Sequence, residues 1–208
     1  MGISMTIRKK FERNKEAMTT KGRRKGLKPL PLTPRQKLEV LIDARDLIKK
    51  GYTTGSWRTF VNGVESFCIY GALQKSCGVS SNFGGQHDMA VSACSLTDTL
   101  YKGVPEKSRI HTDESIKLWT ERAEAETRRK KGESKPNWIL GLKGIDAKDP
   151  IGYCFMQIAN AKVSCLQGLN DSDDKKAVLA VFDKAIKRLR DQLRREAKRK
   201  EKKALATA

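Results

Sequence analysis

A mainly α fold is predicted for this 208-residue chain by three observations. Apolar residues recur at steps of three and four in several long segments, the spacing that lines one side of a helix. Recognisable start and stop residues bracket those segments. One segment, around Phe67 to Leu73, is apolar on most sides, as a fully buried helix is.

In order, residues 1–32 read as a basic arm punctuated by Gly and Pro. Lys21-Gly22-Arg23-Arg24-Lys25-Gly26 has nothing to pack and is expected to stay extended. Pro29 and Pro31 make a stiff, non-helical join to the body. Thr33 is a good N-cap and Pro34 suits the first helical position, so a helix is predicted over 34–50, closed by Lys49, Lys50 and Gly51. A loop over 52–63 follows, then a buried helix over 65–76. A polar loop over 80–85 leads to a third helix over 88–101, carrying Met89, Ala90, Ala93, Leu96 and Leu100. Residues 113–131 read as a peripheral helix whose apolar set ends near Ala125. Trp138 to Gly144 fits helix and strand equally. Ile151 to Leu166 is again mostly apolar, and Asn170 to Asp173 offers caps for a last helix over 173–203. The sum is a single compact helical domain, 33–193, with a peripheral charged insert near 102–150, a basic arm at 1–32 and a basic helical tail at 194–208.

Charge decides the functional reading. The net charge is +19, and it sits at the ends. Residues 1–37 carry 12 Lys/Arg against two acids, and residues 184–203 carry 11 against three. The stretch between is near neutral, with 20 basic and 19 acidic residues. Such asymmetry points to a polyanionic partner. In the tail, Lys187, Arg190, Arg194 and Lys198 share one helix face, with Arg188, Arg195, Arg199 and Lys202 beside them and Lys200 close by. Lys187, Arg190, Arg194, Arg195, Lys198, Arg199 and Lys200, with Arg8, Lys9, Lys10, Lys21, Arg23, Arg24 and Lys25 of the first arm, are the expected contacts to RNA or DNA phosphates. Aromatic residues are nearly missing from both arms, so weak sequence specificity is expected. A particle component whose arms thread between acidic neighbours is the rival reading.

No run of 18 apolar residues is present, so no membrane span is expected. The first residues lack the apolar core of a secretory signal. Five cysteines without regular spacing argue against a disulfide framework, and a cytoplasmic setting is expected.

Two segments together carry a resemblance. Gly55-Ser56-Trp57 precedes Phe67-Cys68-Ile69-Tyr70-Gly71-Ala72-Leu73, and Leu169-Asn170-Asp171 precedes the run from Ala177 to Ile186. The pattern resembles a family of small uncharacterised proteins of actinobacteria and their phages, classed as a domain of unknown function. The resemblance covers roughly 36–78 and 165–190, and reaches neither arm nor the 102–150 insert. It implies a buried helix beginning at the aromatic-Cys pair, a final helix capped by Asn-Asp, and a phage origin. No activity comes with it.

Enzymatic chemistry has one candidate. Cys68, then His87 or His111, then Asn170 or Asp171 follows the chain order of papain-like hydrolases. The bland alternative packs Cys68 in the core and uses Asn170 and Asp171 as caps. No Cys-x-x-Cys pair suggests zinc, and no glycine-rich stretch has the length and Lys-Ser/Thr ending of a phosphate loop. No cofactor is expected.

Overall fold

The computed structural model describes residues 32–77, 95–130, 132–172 and 174–207. Helix dominates: α1 (Pro34–Lys50), α2 (Ile69–Ser76), α3 (95–101), α4 (Ile110–Arg128), α5 (Asn137–Leu140), α6 (Gly144–Lys148), α7 (Pro150–Asp171) and α8 (Lys175–Thr207). Among the described residues one antiparallel hairpin, β1 (Arg58–Val61) and β2 (Val64–Phe67), interrupts them. Two compact units are distinguished, Met1–Val104 with Leu166–Ala208, and Pro105–Cys165. The second unit overlaps the insert expected near 102–150.

In the first unit α1 starts where the sequence marks it. Thr33 Oγ1 accepts the Gln36 N–H at 3.3 Å, and Gln36 Oε1 accepts the Thr33 N–H at 3.1 Å, a reciprocal capping box. Val40, Leu41, Ala44 and Ile48 form its buried face. Gly51 ends it in an extended conformation, not the left-handed one expected of a C-terminal glycine. Its lack of a side chain has another cause: a Cβ there would collide with the Glu65 carbonyl oxygen. That closeness lets Phe67 N–H donate to Gly51 O at 3.0 Å, laying residues 51–53 beside β2.

The hairpin corrects the predicted loop over 52–63 and the predicted start of the next helix at 65. Asn62 (φ 51°) and Gly63 (φ 77°) both adopt left-handed backbone, as a two-residue primed turn requires. Helix α2 therefore begins at Ile69, and the expectation that it is buried on most sides holds: Ile69, Tyr70, Gly71, Ala72, Leu73, Gln74 and Ser76 are all inside.

Helix α8 supplies the other half of this core. Val178, Val181, Phe182, Ala185, Ile186 and Leu189 are buried against the unit, and Leu193, the last member of the predicted stripe, is half-buried. The predicted Asn-Asp cap is corrected. Asp174 Oδ1 accepts the Ala177 N–H at 2.9 Å, whereas Asn170 and Asp171 still belong to α7. Asn170 points inward, 4% exposed, and its Oδ1 accepts the Ile69 N–H at 3.0 Å. Its carbonyl accepts the Tyr52 hydroxyl. It caps the start of α2, about a hundred residues away in sequence, rather than α8.

The second unit packs around Trp119. Trp138 and Tyr153 meet it edge-on, with ring centroids 6.3 and 5.6 Å away, and the Arg122 guanidinium lies 4.5 Å above its ring. Ala123, Ile139 and Cys154 are buried around this cluster. Trp138 to Leu140 is helical, which settles the segment that fitted helix and strand equally. The basic cluster Arg128–Lys131 is partly neutralised, as Arg129 makes two 2.7 Å bonds to Glu126.

Two substitutions probe the first unit. In Gly71→Ala the new methyl would occupy the space of the Trp57 carbonyl oxygen. Although alanine favours helix by about 1 kcal/mol, the clash with main chain dominates, and a net loss of about 2 kcal/mol or more is expected in urea unfolding. Asn170→Ala leaves the Ile69 N–H unpaired and is expected to cost about 1–3 kcal/mol in the same measurement.

Candidate nucleic-acid interface

The predicted tail contacts all lie on α8. This helix runs 33 residues without a break, about 50 Å at 1.5 Å per residue. Up to Leu189 its inward side is apolar and buried, and its outward side carries Lys176, Lys184, Lys187 and Arg188, all exposed. Arg190, Arg194, Arg195, Lys198, Arg199, Lys200 and Lys202 are likewise exposed beyond it. The apolar side does not continue: the positions that follow Leu189 and Leu193 on that face are Glu196 and Lys200. The basic side does continue, so one cationic stripe crosses from the packed half to the free half. Lys176 and Lys184 extend that stripe beyond the residues singled out from sequence. Helical periodicity carried back across the packed half identifies them.

Few of these charges are tied down. Arg194 reaches Asp191 at 3.8 Å with its side chain 78% exposed, a pair worth little in water. Arg195 Nε donates to the Asp191 carbonyl at 3.3 Å, and Arg188 Nη1 donates to the Lys102 carbonyl. Glu196 is engaged by Gln192, at 2.8 Å. Among the described residues no ion pair holds Lys187, Arg190, Lys198, Arg199 or Lys200.

Helix pairing decides where the free half starts. Lys175 Nζ donates to the Lys49 carbonyl at 3.0 Å, and Arg45 Nε donates to Asp183 Oδ1 at 2.6 Å. Moving forward along α8 therefore means moving backward along α1, and the two are antiparallel. Continued at about 1.5 Å per residue on both helices, this register sets the start of α1 beside the Leu189–Leu193 turn. The chain enters the body next to the place where α8 leaves it. Arg8, Lys9, Lys10, Lys21, Arg23, Arg24 and Lys25, upstream of that entry, lie outside the described residues.

The cysteine candidate is structural in its surroundings. Cys68 is the N-cap of α2, with Sγ accepting the Gly71 N–H at 3.3 Å. Burial pushes its thiol up, outweighing the N–H groups that favour thiolate, whereas an activated nucleophile needs the opposite shift. Asn170 does come close, through its bond to the Ile69 N–H. His111 is fully exposed and sits 3.4 Å from Glu114, and His87 lies outside the described residues. Among the described residues no three His, Cys, Asp or Glu side chains are gathered as metal ligands, and no helix is long and apolar enough to cross a membrane.

Fold and surface together define a mainly α protein whose longest helix is half core and half exposed cationic rod. Comparison with protein-family models, with curated proteins and with solved structures gives no match, so the family resemblance is carried by the residues quoted above alone.

Cys77 makes this packing testable by pH. Burial pushes its thiol up to about 12. The folded state thus keeps the proton while the unfolded chain, with an ordinary thiol near 9, gives it up. Stability is intact below about pH 9 and is lost as pH rises towards 12, by a few kcal/mol at full extent. Denaturant unfolding across that range is expected to show this decline in the native chain and a flatter profile in Cys77→Ala.

Proposed function

We propose that the protein binds nucleic acid through its phosphates, without strong sequence preference. The reading rests on one observation: exposed basic side chains continue along one side of α8 from the packed half to the free half, with Asp183 held by Arg45 and Asp191 beside Arg194 among them, while the apolar face stops. A helix extended only to complete a core would end where its apolar face ends. Lys187, Arg190, Arg194, Arg195, Lys198 and Arg199 form the main contact face, with Lys200 adding charge on the side where the apolar face has ended, each neutralised phosphate releasing counterions. Arg8, Lys9, Lys10, Lys21, Arg23, Arg24 and Lys25 add charge upstream of the neighbouring chain entry. A phage origin belongs to this reading on the resemblance alone, and a cytoplasmic setting is where such a partner is met.

A second reading, a protein component of a larger particle, is favoured by a different feature. Trp57, Phe60, Val61 and Val64 leave much of their apolar surface exposed around the hairpin, which phosphate binding does not use. Co-sedimentation with particles, in place of binding to free nucleic acid, separates the two.

The test is affinity of the full chain for DNA, RNA and anionic vesicles over a salt series. Affinity for nucleic acid is expected to fall steeply with salt, and Arg195→Ala or Lys198→Ala to reduce the logarithmic slope by about one each. Deleting 194–208 is expected to remove most of the affinity while thermal unfolding of the body persists. Equal affinity in the truncated chain, or a preference for vesicles, would sink the reading.

A further inference from the structure

We infer that the free half of α8 is built to lie in the major groove of duplex DNA. This rests on the nucleic-acid reading above and narrows it to one partner.

Three features carry it. The first is shape. From Arg194 onward the helix continues to Thr207, about 20 Å of rod at 1.5 Å per residue. Apart from the half-buried Glu196, every side chain described there is exposed. A bare helix, about 10–12 Å across with side chains, matches the B-DNA major groove, about 12 Å wide.

The second is the arrangement of charge. Arg194 and Lys198 form one column, and Arg195 and Arg199 form another about 100° round the helix, from 3.6 residues per turn. Lys202 falls between them. Side chains diverging from two such columns reach phosphates on both walls of a groove, whereas a single stripe serves one strand. Asp191, on the same side, is occupied by Arg194, and Glu196 lies away from both columns. The exposed Glu201 follows Lys198 on the first column, so the groove-facing charge of that column is Arg194 and Lys198, with Lys202 continuing beside it.

The third concerns the competing ligands. No Phe, Tyr or Trp follows Phe182 in the sequence, so the helix has no surface on which bases of a single strand stack. The major groove of A-form RNA is too narrow and deep for a helix carrying side chains. Among nucleic acids, B-form DNA is the partner this rod fits.

The decisive variant is Ala197→Pro. It keeps every charge, and it breaks the helix beyond the last residue that packs on the core. Anisotropy measurements on the full chain, with a DNA duplex of about two turns, its single strand and the matching RNA duplex, provide the readout. The native chain is expected to prefer the DNA duplex by roughly tenfold or more at equal salt, and to protect guanine N7 from methylation. Ala197→Pro is expected to lose that preference and retain weaker binding that treats the three ligands alike, with the thermal transition of the body unchanged. Equal binding of native chain to single strand or RNA duplex overturns the inference but spares the broader reading. So does a duplex preference that survives the proline, or one without N7 protection. Binding to none of the three overturns both.

Discussion

The first unit depends on a single buried amide. Asn170 sits at the end of α7, yet its side chain accepts the first N–H of α2 and its carbonyl accepts the Tyr52 hydroxyl. Three segments far apart in sequence are tied by one residue. A buried helix start needs a partner for its free N–H groups, because water cannot reach them. Cys68 serves the Gly71 N–H and Asn170 serves that of Ile69, so α2 can begin inside the core. Gly71 then lets the same turn rest directly on the Trp57 main chain. The Phe-Cys-x-x-Gly-Ala-Leu pattern is accounted for by this geometry.

Against that core α1 and α8 run antiparallel, pinned at Lys49–Lys175 and Arg45–Asp183. The exposed Arg45–Asp183 pair contributes little stability by itself. Its value is in setting register, which aligns the entry of the chain with the exit of α8. Charge that is separated by the whole length of the sequence is thereby joined to the body at one end of a helix pair.

Much of this was legible beforehand. Thr33-Pro34 announced α1, the all-round apolar character of α2 announced its burial, and the stripe from Val178 to Leu189 announced the core face of α8. The basic row from Lys187 to Lys200 was read from the same periodicity and lies on the exposed side. The hairpin was missed although Asn62-Gly63 is a strong turn signal. The apolar run from Phe67 onward draws the predicted helix backwards over Glu65 and Ser66, residues that pair with β1 instead. Local sequence marks Asn170 only as a cap, because its real partner, Ile69, is brought near by tertiary packing that no local pattern encodes. The antiparallel register was equally hidden, since it depends on which charged pairs meet across helices.

The free half of α8 has a further property. A helix this short is marginal in water by itself. Its spacing sets like charges four apart, Arg194 with Lys198, Arg195 with Arg199 and Lys198 with Lys202, each pair opposing the helix by a few tenths of a kcal/mol. It is helical because the packed half supplies the costly nucleus. The arm is in effect a rod held at its packed end, and a polyanion that neutralises its basic columns would also stiffen it.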